Sequence, residues 1–302
     1  MSSSPPLLAL KDVHTHIGGS HILQGVTFDV PAGQTTVLLG RNGAGKSTTL
    51  RTILGLWKAE RGSIRLNGEE LIGRPAHRVT REGIAFVPED REVFASLTVD
   101  ENLRLAWRRQ RGPELPPSND EGGPLGTARE ADLGEREQTD RTSPPPPPVP
   151  VPSAKDGERS PAIRVPIRWL RSRLGPADRE GINRVYRMFP DLHRARKRSA
   201  GAMSGGQQQM LAIGRALVNP SQILLIDEPT KGLAPVIVQQ LAQSLRSLQQ
   251  RGQTILLVEQ NLEFARSIGE RYFILDEGRV VHAGLMAELT EQPEALRRYI
   301  GV

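Results

Sequence analysis

TTVLLGRNGAGKST, residues 35–48, decides how the rest of the chain is read. Five uncharged residues run into Gly40, and two more glycines, Gly43 and Gly45, precede Lys46, Ser47 and Thr48. The run is strand-sized and does not alternate polar with apolar, as expected of a strand buried on both faces. The glycines let the backbone turn its N–H groups inward, and the helix starting at Lys46 begins with amides that have no intrahelical partner. Strand, bare turn and helix N-terminus together make a cradle for an anion. The spacing G-x-x-x-x-G-K-S/T assigns Gly40, Arg41, Asn42, Gly43, Ala44, Gly45, Lys46, Ser47 and Thr48 to a loop around the phosphates of a nucleotide. Lys46 neutralises the β- and γ-phosphates there, and the Ser47 hydroxyl is a ligand for Mg2+.

Two further runs have the same character. SQILLID (221–227) and TILLVEQ (254–260) are short, apolar and each followed by a helical pattern. Strands of this kind alternating with helices predict an α/β fold around a parallel sheet covered on both faces. VTFDV (26–30), SIRLNG (63–68) and YFILDEGRVV (272–281) read instead as antiparallel strands and hairpins, so the sheet core is mixed and an antiparallel β lobe accompanies it. Asp227 ends the first of the buried runs, where a carboxylate is costly unless something uses it; it is assigned to Mg2+, held through water. Glu228 follows on the opposite side and is the candidate general base for an attacking water.

Between the folded segments lies a different composition. Residues 111–162 hold 12 prolines, among them PPPPPVPVP at 144–152, and bury too little apolar surface to offset the entropy of ordering them. They are expected to be a disordered insertion. At 163–174, IRVPIRWLRSRL sets Ile167, Leu170 and Leu174 on one helical face among four arginines, a solvated or core-docked helix or one that touches a membrane surface. The formal charge of +6 suits an acidic partner surface, nucleic acid or anionic lipid. The chain has no cysteine, which excludes disulfides, thiolate metal sites and thiol nucleophiles. Its longest apolar runs fall far short of the ~20 residues a spanning helix needs, and MSSSPPLLALKDV lacks the basic start of a signal peptide, so an intracellular protein is expected.

One motif remains. MSGGQQQML at 203–211 sets a second bare turn, Ser204, Gly205, Gly206 and Gln207, before an amphipathic helix. A phosphate loop, then SGGQ, then a strand-end Asp-Glu, in that order, resembles the ATP-binding cassette (ABC) ATPases over residues 7–110 and 181–302. The resemblance implies a phosphate-loop cassette, with ATP and Mg2+ as cofactors. Its single domain spans 7–302: a core of 7–91 and 200–302, and a helical subdomain of about 92–110 and 163–199 interrupted by the insertion. It also implies that the SGGQ turn serves in trans, closing over ATP held by a second subunit. The 74 residues after Glu228 are expected to finish the core and leave no room for a C-terminal module.

Four positions depart from the general family pattern. Glu89 in FVPED replaces the usual Gln, Ala234 in TKGLAP the usual Asp, and Gln260 in LLVEQN the switch His. Ile17, with His16 beside it, stands where an aromatic residue stacks on adenine. VPE, GLAP and VEQN, with FVPEDREVFASLTVDENL, VYRMFPDL, LAIGRAL and LRRYIGV, are similar to the ATP-binding subunits of branched-chain amino-acid importers and their urea and amide relatives. By that resemblance Glu89 is an ATP-site and metal residue, Gln260 a catalytic one and Ile17 the adenine contact. Glu89 suits Mg2+ or its water better than an amide. Gln260 donates a hydrogen bond but carries no proton charge, and Ile17 offers no stacking. The implied partners are integral membrane permease subunits, a second ATP-binding subunit (a sister chain or a copy of this one) and an extracytoplasmic solute-binding protein. The implied place is the cytoplasmic face of the membrane, with no nucleic-acid partner. Three alternatives stay open: a soluble ABC ATPase of DNA repair or ribosome work, which the lack of heptads and the single cassette disfavour; an exporter subunit; and a non-hydrolysing regulator, which Lys46, Asp227 and Glu228 disfavour.

Overall fold

The computed structural model describes residues 5–107, 176–291 and 299–300. The Pro-rich interval 111–162 and the basic stretch 163–174 lie outside the described residues, so the expectations about them stand as expectations.

Two sheets organise the described residues. In the first, β1 (Leu8–Ile17) and β2 (Ser20–Val30) form a hairpin, and β4 (Arg61–Leu66) and β5 (Glu69–Glu70) extend it in the order β2-β1-β4-β5, antiparallel throughout. The second carries the site. Its strands are β3 (Thr35–Leu39), β6 (Ile84–Val87), β7 (Ile223–Asp227), β8 (Thr254–Glu259), β9 (Arg271–Asp276) and β10 (Arg279–Leu285), in the order β10-β9-β3-β8-β7-β6. All neighbours in it are parallel except β10 on β9. YFILDEGRVV is thus the expected hairpin, but its first arm is also a parallel neighbour of β3, Leu38 lying opposite Phe273. The buried run from Tyr272 to Leu275 is what admits that arm to the sheet interior.

Helices cover this sheet. α1 (Lys46–Ile53) and α2 (Ala76–Val79) precede β6. A helical layer follows: α3 (Val99–Ala106), α4 (Pro176–Met188), α5 (Pro190–Arg194) and α6 (Gly205–Leu217). α7 (Pro235–Gln250) and α8 (Leu262–Ile268) then connect β7 to β8 and β8 to β9.

The central strands divide their side chains between two apolar cores. Leu224 and Ile226 of β7 join Leu257 of β8, Leu103 of α3, Val185 of α4 and Leu211 of α6. Ile223 and Leu225 join Val258 of β8, Leu50 of α1 and Val26 of β2. This period-2 partition is why β7 carries no polar residue until its last position, Asp227.

Register then gathers the chemistry. β8 lies between β3 and β7, with Leu39 opposite Glu259 and Asp227 opposite Val258. The carboxyl ends of three adjacent parallel strands therefore deliver the phosphate loop, the Asp227–Glu228 pair and Glu259–Gln260 to one edge, where open α/β sheets bind ligands.

Candidate active site

The loop from Gly40 to Gly45 leaves β3 and enters α1. Gly40 has φ +150° and packs so closely on β9 that a Cβ there would lie 2.2 Å from the Leu275 carbonyl oxygen, so no side chain fits. α1 opens with no side-chain cap, which leaves its first amides free of a side-chain acceptor. Lys46, 4% exposed, folds back over the loop: its Nζ donates to the carbonyls of Gly40 (2.9 Å) and Arg41 (3.1 Å) and lies 3.4 Å from Glu228 Oε1.

Ser47 Oγ donates to Asp227 Oδ1 at 2.9 Å, joining α1 to the end of β7. Burial pushes the Asp227 carboxyl up to about 6, the Ser47 hydrogen bond opposes the rise, and the negative charges of Glu228 and Glu89 add to it. A buried carboxylate beside a hydroxyl is a hard-oxygen pair that fits Mg2+, which takes one or two protein oxygens and completes its shell with phosphate and water. Among the described residues no three acidic or histidine groups converge as a full protein cage, as that manner of binding requires none.

Glu228 has φ +41°, a left-handed conformation that costs a non-glycine residue on the order of 1–3 kcal/mol and persists only where neighbours enforce it. Its N–H donates to the Val258 carbonyl at 3.0 Å. Gln260 Nε2 donates to Glu228 Oε1 and to Asn42 Oδ1, both at 2.5 Å. One amide thus ties the phosphate loop to the candidate base, in the place where the sequence resemblance expects a switch His.

Glu89 comes from the loop after β6 and pairs with the Lys231 ammonium, whose own titration is raised by that contact. Ile17 is half-buried at the tip of the β1–β2 hairpin. His16 turns to Glu60 (Nδ1 to Oε2, 3.0 Å) and stacks on His21 at 4.1 Å.

The glycine turn stands apart. Ser204 caps α6 in a capping box: its Oγ accepts from the Gln207 amide (3.3 Å) and Gln207 Oε1 accepts from the Ser204 amide (3.2 Å). A Cβ on Gly206 would sit 2.2 Å from Ile237 Cγ2 of α7, so any larger residue there would have to displace that side chain. Among the described residues no hydrogen bond or ion pair joins 204–207 to 40–48. The first group, Lys46, Ser47, Asp227, Glu228 and Gln260, is assembled within one chain; the turn is not part of it.

Sequence reasoning missed four participants. Arg91 Nε donates to Gln209 Oε1 of α6 (3.2 Å) and its Nη2 to the Lys231 carbonyl (3.3 Å), linking two loops to a helix. Lys231 holds Glu89. Glu259, at the end of β8, accepts from Thr230 in the turn after β7. Glu259 did carry a signal, a carboxylate closing a buried strand, the same feature that singles out Asp227.

A family model described as ABC transporter matches residues 23–231. Over 295 residues the chain is 35% identical to the high-affinity branched-chain amino acid transport ATP-binding protein BraG of Pseudomonas aeruginosa, covering 98% of this chain and 100% of that relative. It is 32% identical to the probable branched-chain amino acid transport ATP-binding protein LivF of Archaeoglobus fulgidus, over 93% of each. Among solved structures, a nucleotide-free ATP-binding cassette from an ABC transporter matches with a TM-score of 0.69 at 20% identity, over 97% of this chain and 98% of that one, which speaks for the fold. With more than half of its residues inside the family model and a relative alike from end to end, the chain belongs to the ABC transporter family, as an ATP-binding subunit and ATPase.

Proposed function

We propose that this chain hydrolyses ATP to energise a membrane ABC importer for branched-chain amino acids or a related small amide or urea solute. The observation that carries the reading is the end-to-end similarity to branched-chain amino acid transport ATP-binding proteins, joined to a complete set of phosphate and base groups on one sheet edge. Gly40 to Thr48 hold the phosphates, and Lys46 neutralises the oxygen that carries developing charge. Ser47 and Asp227, with Glu89 through water, would hold Mg2+, which supplies charge neutralisation on the phosphates. Glu228 has one oxygen, Oε1, engaged by Gln260; the other, Oε2, takes the proton of the attacking water. Ile17 packs against adenine without stacking.

Ser204, Gly205, Gly206 and Gln207 close over ATP bound to a second ATP-binding subunit, a sister chain or a copy of this one. Their separation from this chain's own phosphate loop supports that role. No helix among the described residues is long and apolar enough to cross a membrane. Transport therefore needs integral permease subunits, and import a solute-binding protein outside, with this chain peripheral on the cytoplasmic face. The helical layer offers a docking patch: Phe94 is 45% exposed beneath the Arg215 guanidinium (4.9 Å), near α3, on which Leu105 is exposed.

Two variants and one purification test the proposal. Lys46→Ala should weaken nucleotide binding. Glu228→Gln should keep binding while turnover falls about 100-fold or more. Membrane proteins that co-purify with the tagged chain should be permeases of an importer; recovery of ribosomes, or unaltered turnover in Glu228→Gln, would reject it.

A further inference from the structure

Glu259 ends β8 and is 2% exposed. A carboxylate tolerates such burial only when its lone pairs are filled, and here all four acceptor positions are used. Oε1 accepts from the Thr230 amide (3.2 Å) and hydroxyl (2.8 Å). Oε2 accepts from the amides of Gln260 and Asn261, each at 2.9 Å. Thr230 stands two residues after Glu228, and Gln260 is the residue whose side chain donates to Glu228 Oε1. One carboxylate therefore grips two loops from opposite sides, and both loops end on the candidate base.

Other roles for Glu259 fail on the same geometry. It is not the cap of α8, because Asn261 Oδ1 already accepts from the Phe264 amide at 3.0 Å. It is not itself an acid or base in turnover, because it is buried and has no lone pair left. Nor is it a helper to Mg2+, since the donors it accepts from are backbone amides and a threonine hydroxyl.

We propose that Glu259 is a positioning residue for ATP hydrolysis: it locks the turn that carries Glu228 against the loop that carries Gln260, and so fixes the base in its left-handed conformation. The inference rests on the reading of Glu228 as the base. The acceptor-only chemistry of a carboxylate is what the position demands. A glutamine would present an NH2 group to one of the two donor pairs, and an aspartate would be one methylene short of reaching both loops.

The test uses the full chain and measures kcat, KM, nucleotide affinity and melting temperature for Glu259→Gln, Thr230→Val and Thr230→Ser, each also in a Glu228→Gln background. Glu259→Gln should lower kcat by about 10- to 100-fold with KM and nucleotide affinity within about twofold. Added to Glu228→Gln it should cost less than about threefold more, because both changes act through one base. Thr230→Val, which keeps the amide and loses the hydroxyl, should fall less, and Thr230→Ser should restore the wild-type rate. If Glu259→Gln does not fold, the two Thr230 variants report on the same clamp. A wild-type rate in Glu259→Gln and Thr230→Val, or an equal multiplicative loss with and without Glu228, accompanied by loss of nucleotide affinity, would overturn the inference alone. A wild-type chain that binds ATP and does not hydrolyse it would overturn the functional reading and this inference with it.

Discussion

Asp227 shows what a single buried carboxylate costs in stability. Its folded value, about 6, lies above the 3.8 of a free side chain, so the folded state holds the proton more tightly than the unfolded one. Below about pH 4 both states are protonated and the group costs nothing. Between there and about 6 the unfolded chain ionises first and stability drops; above that range the full penalty applies, at most about 3 kcal/mol. Asp227→Asn keeps an oxygen for the Ser47 hydroxyl and removes the charge. It should raise the melting temperature of the nucleotide-free protein by a few degrees at pH 8, leave it unchanged at pH 4, and abolish turnover. Melting curves that coincide at pH 8 would mean the carboxylate is solvated. The position of Asp227 was legible in the sequence because a charge closed an apolar run. Glu259 closed another, yet its meaning was hidden, since Thr230 lies 29 residues away and meets it only because β7 and β8 are neighbours. Sheet order is not written in hydrophobic periodicity. Arg91 and Lys231 were hidden for the same reason: each bonds across loops whose proximity the topology creates.

At the scale of elements, the strand–turn–helix units that start at β3, β7 and β8 were readable, because buried parallel strands leave local marks, whereas the four residues of β6 were not. α6 was readable by its cap. Its capping box is spelled Ser204 to Gln207, and its start is pressed against α7 at Gly206. The structure leaves that helix end outside its own chain's phosphate loop, so its contribution should appear only in pairs. Ser204→Arg puts a bulky cation on a narrow helix terminus where a phosphate would dock. ATP binding to the monomer should be unchanged, and ATP-driven pairing of the Glu228→Gln protein should vanish in sedimentation. Lost binding in the monomer would instead assign the turn to its own chain. Sequence periodicity read β9 as an arm of an antiparallel hairpin, which it is, but left unread its second pairing, parallel to β3. A hairpin partner is close in sequence and easily read, whereas the partner on the other edge comes from more than 200 residues away.

At the scale of the whole molecule, the five groups assembled within one chain, Lys46, Ser47, Asp227, Glu228 and Gln260, lie in 40–47 and 227–260, on either side of the Pro-rich interval. Replacing 111–162 with a short Gly/Ser linker should leave basal ATPase and melting temperature nearly unchanged, since halving a flexible loop alters closure cost by only about 0.6 kcal/mol. Collapse of the basal rate would show that the interval contributes to the fold. The partition of β7 between two cores has a further consequence, for the way the protein fails when heated. Neither core can melt and leave the strand that bears Asp227 and Glu228 intact, because each core forms one face of it. Calorimetry should therefore record one cooperative transition, coincident with the loss of ATPase. Leu224→Ala and Leu225→Ala, cavities on opposite faces, should each cost about 2–5 kcal/mol and move that single peak without splitting it. A shared wall thus means that the edge bearing Asp227 and Glu228 has no melting point of its own: it keeps its shape as long as both cores do and loses it with them.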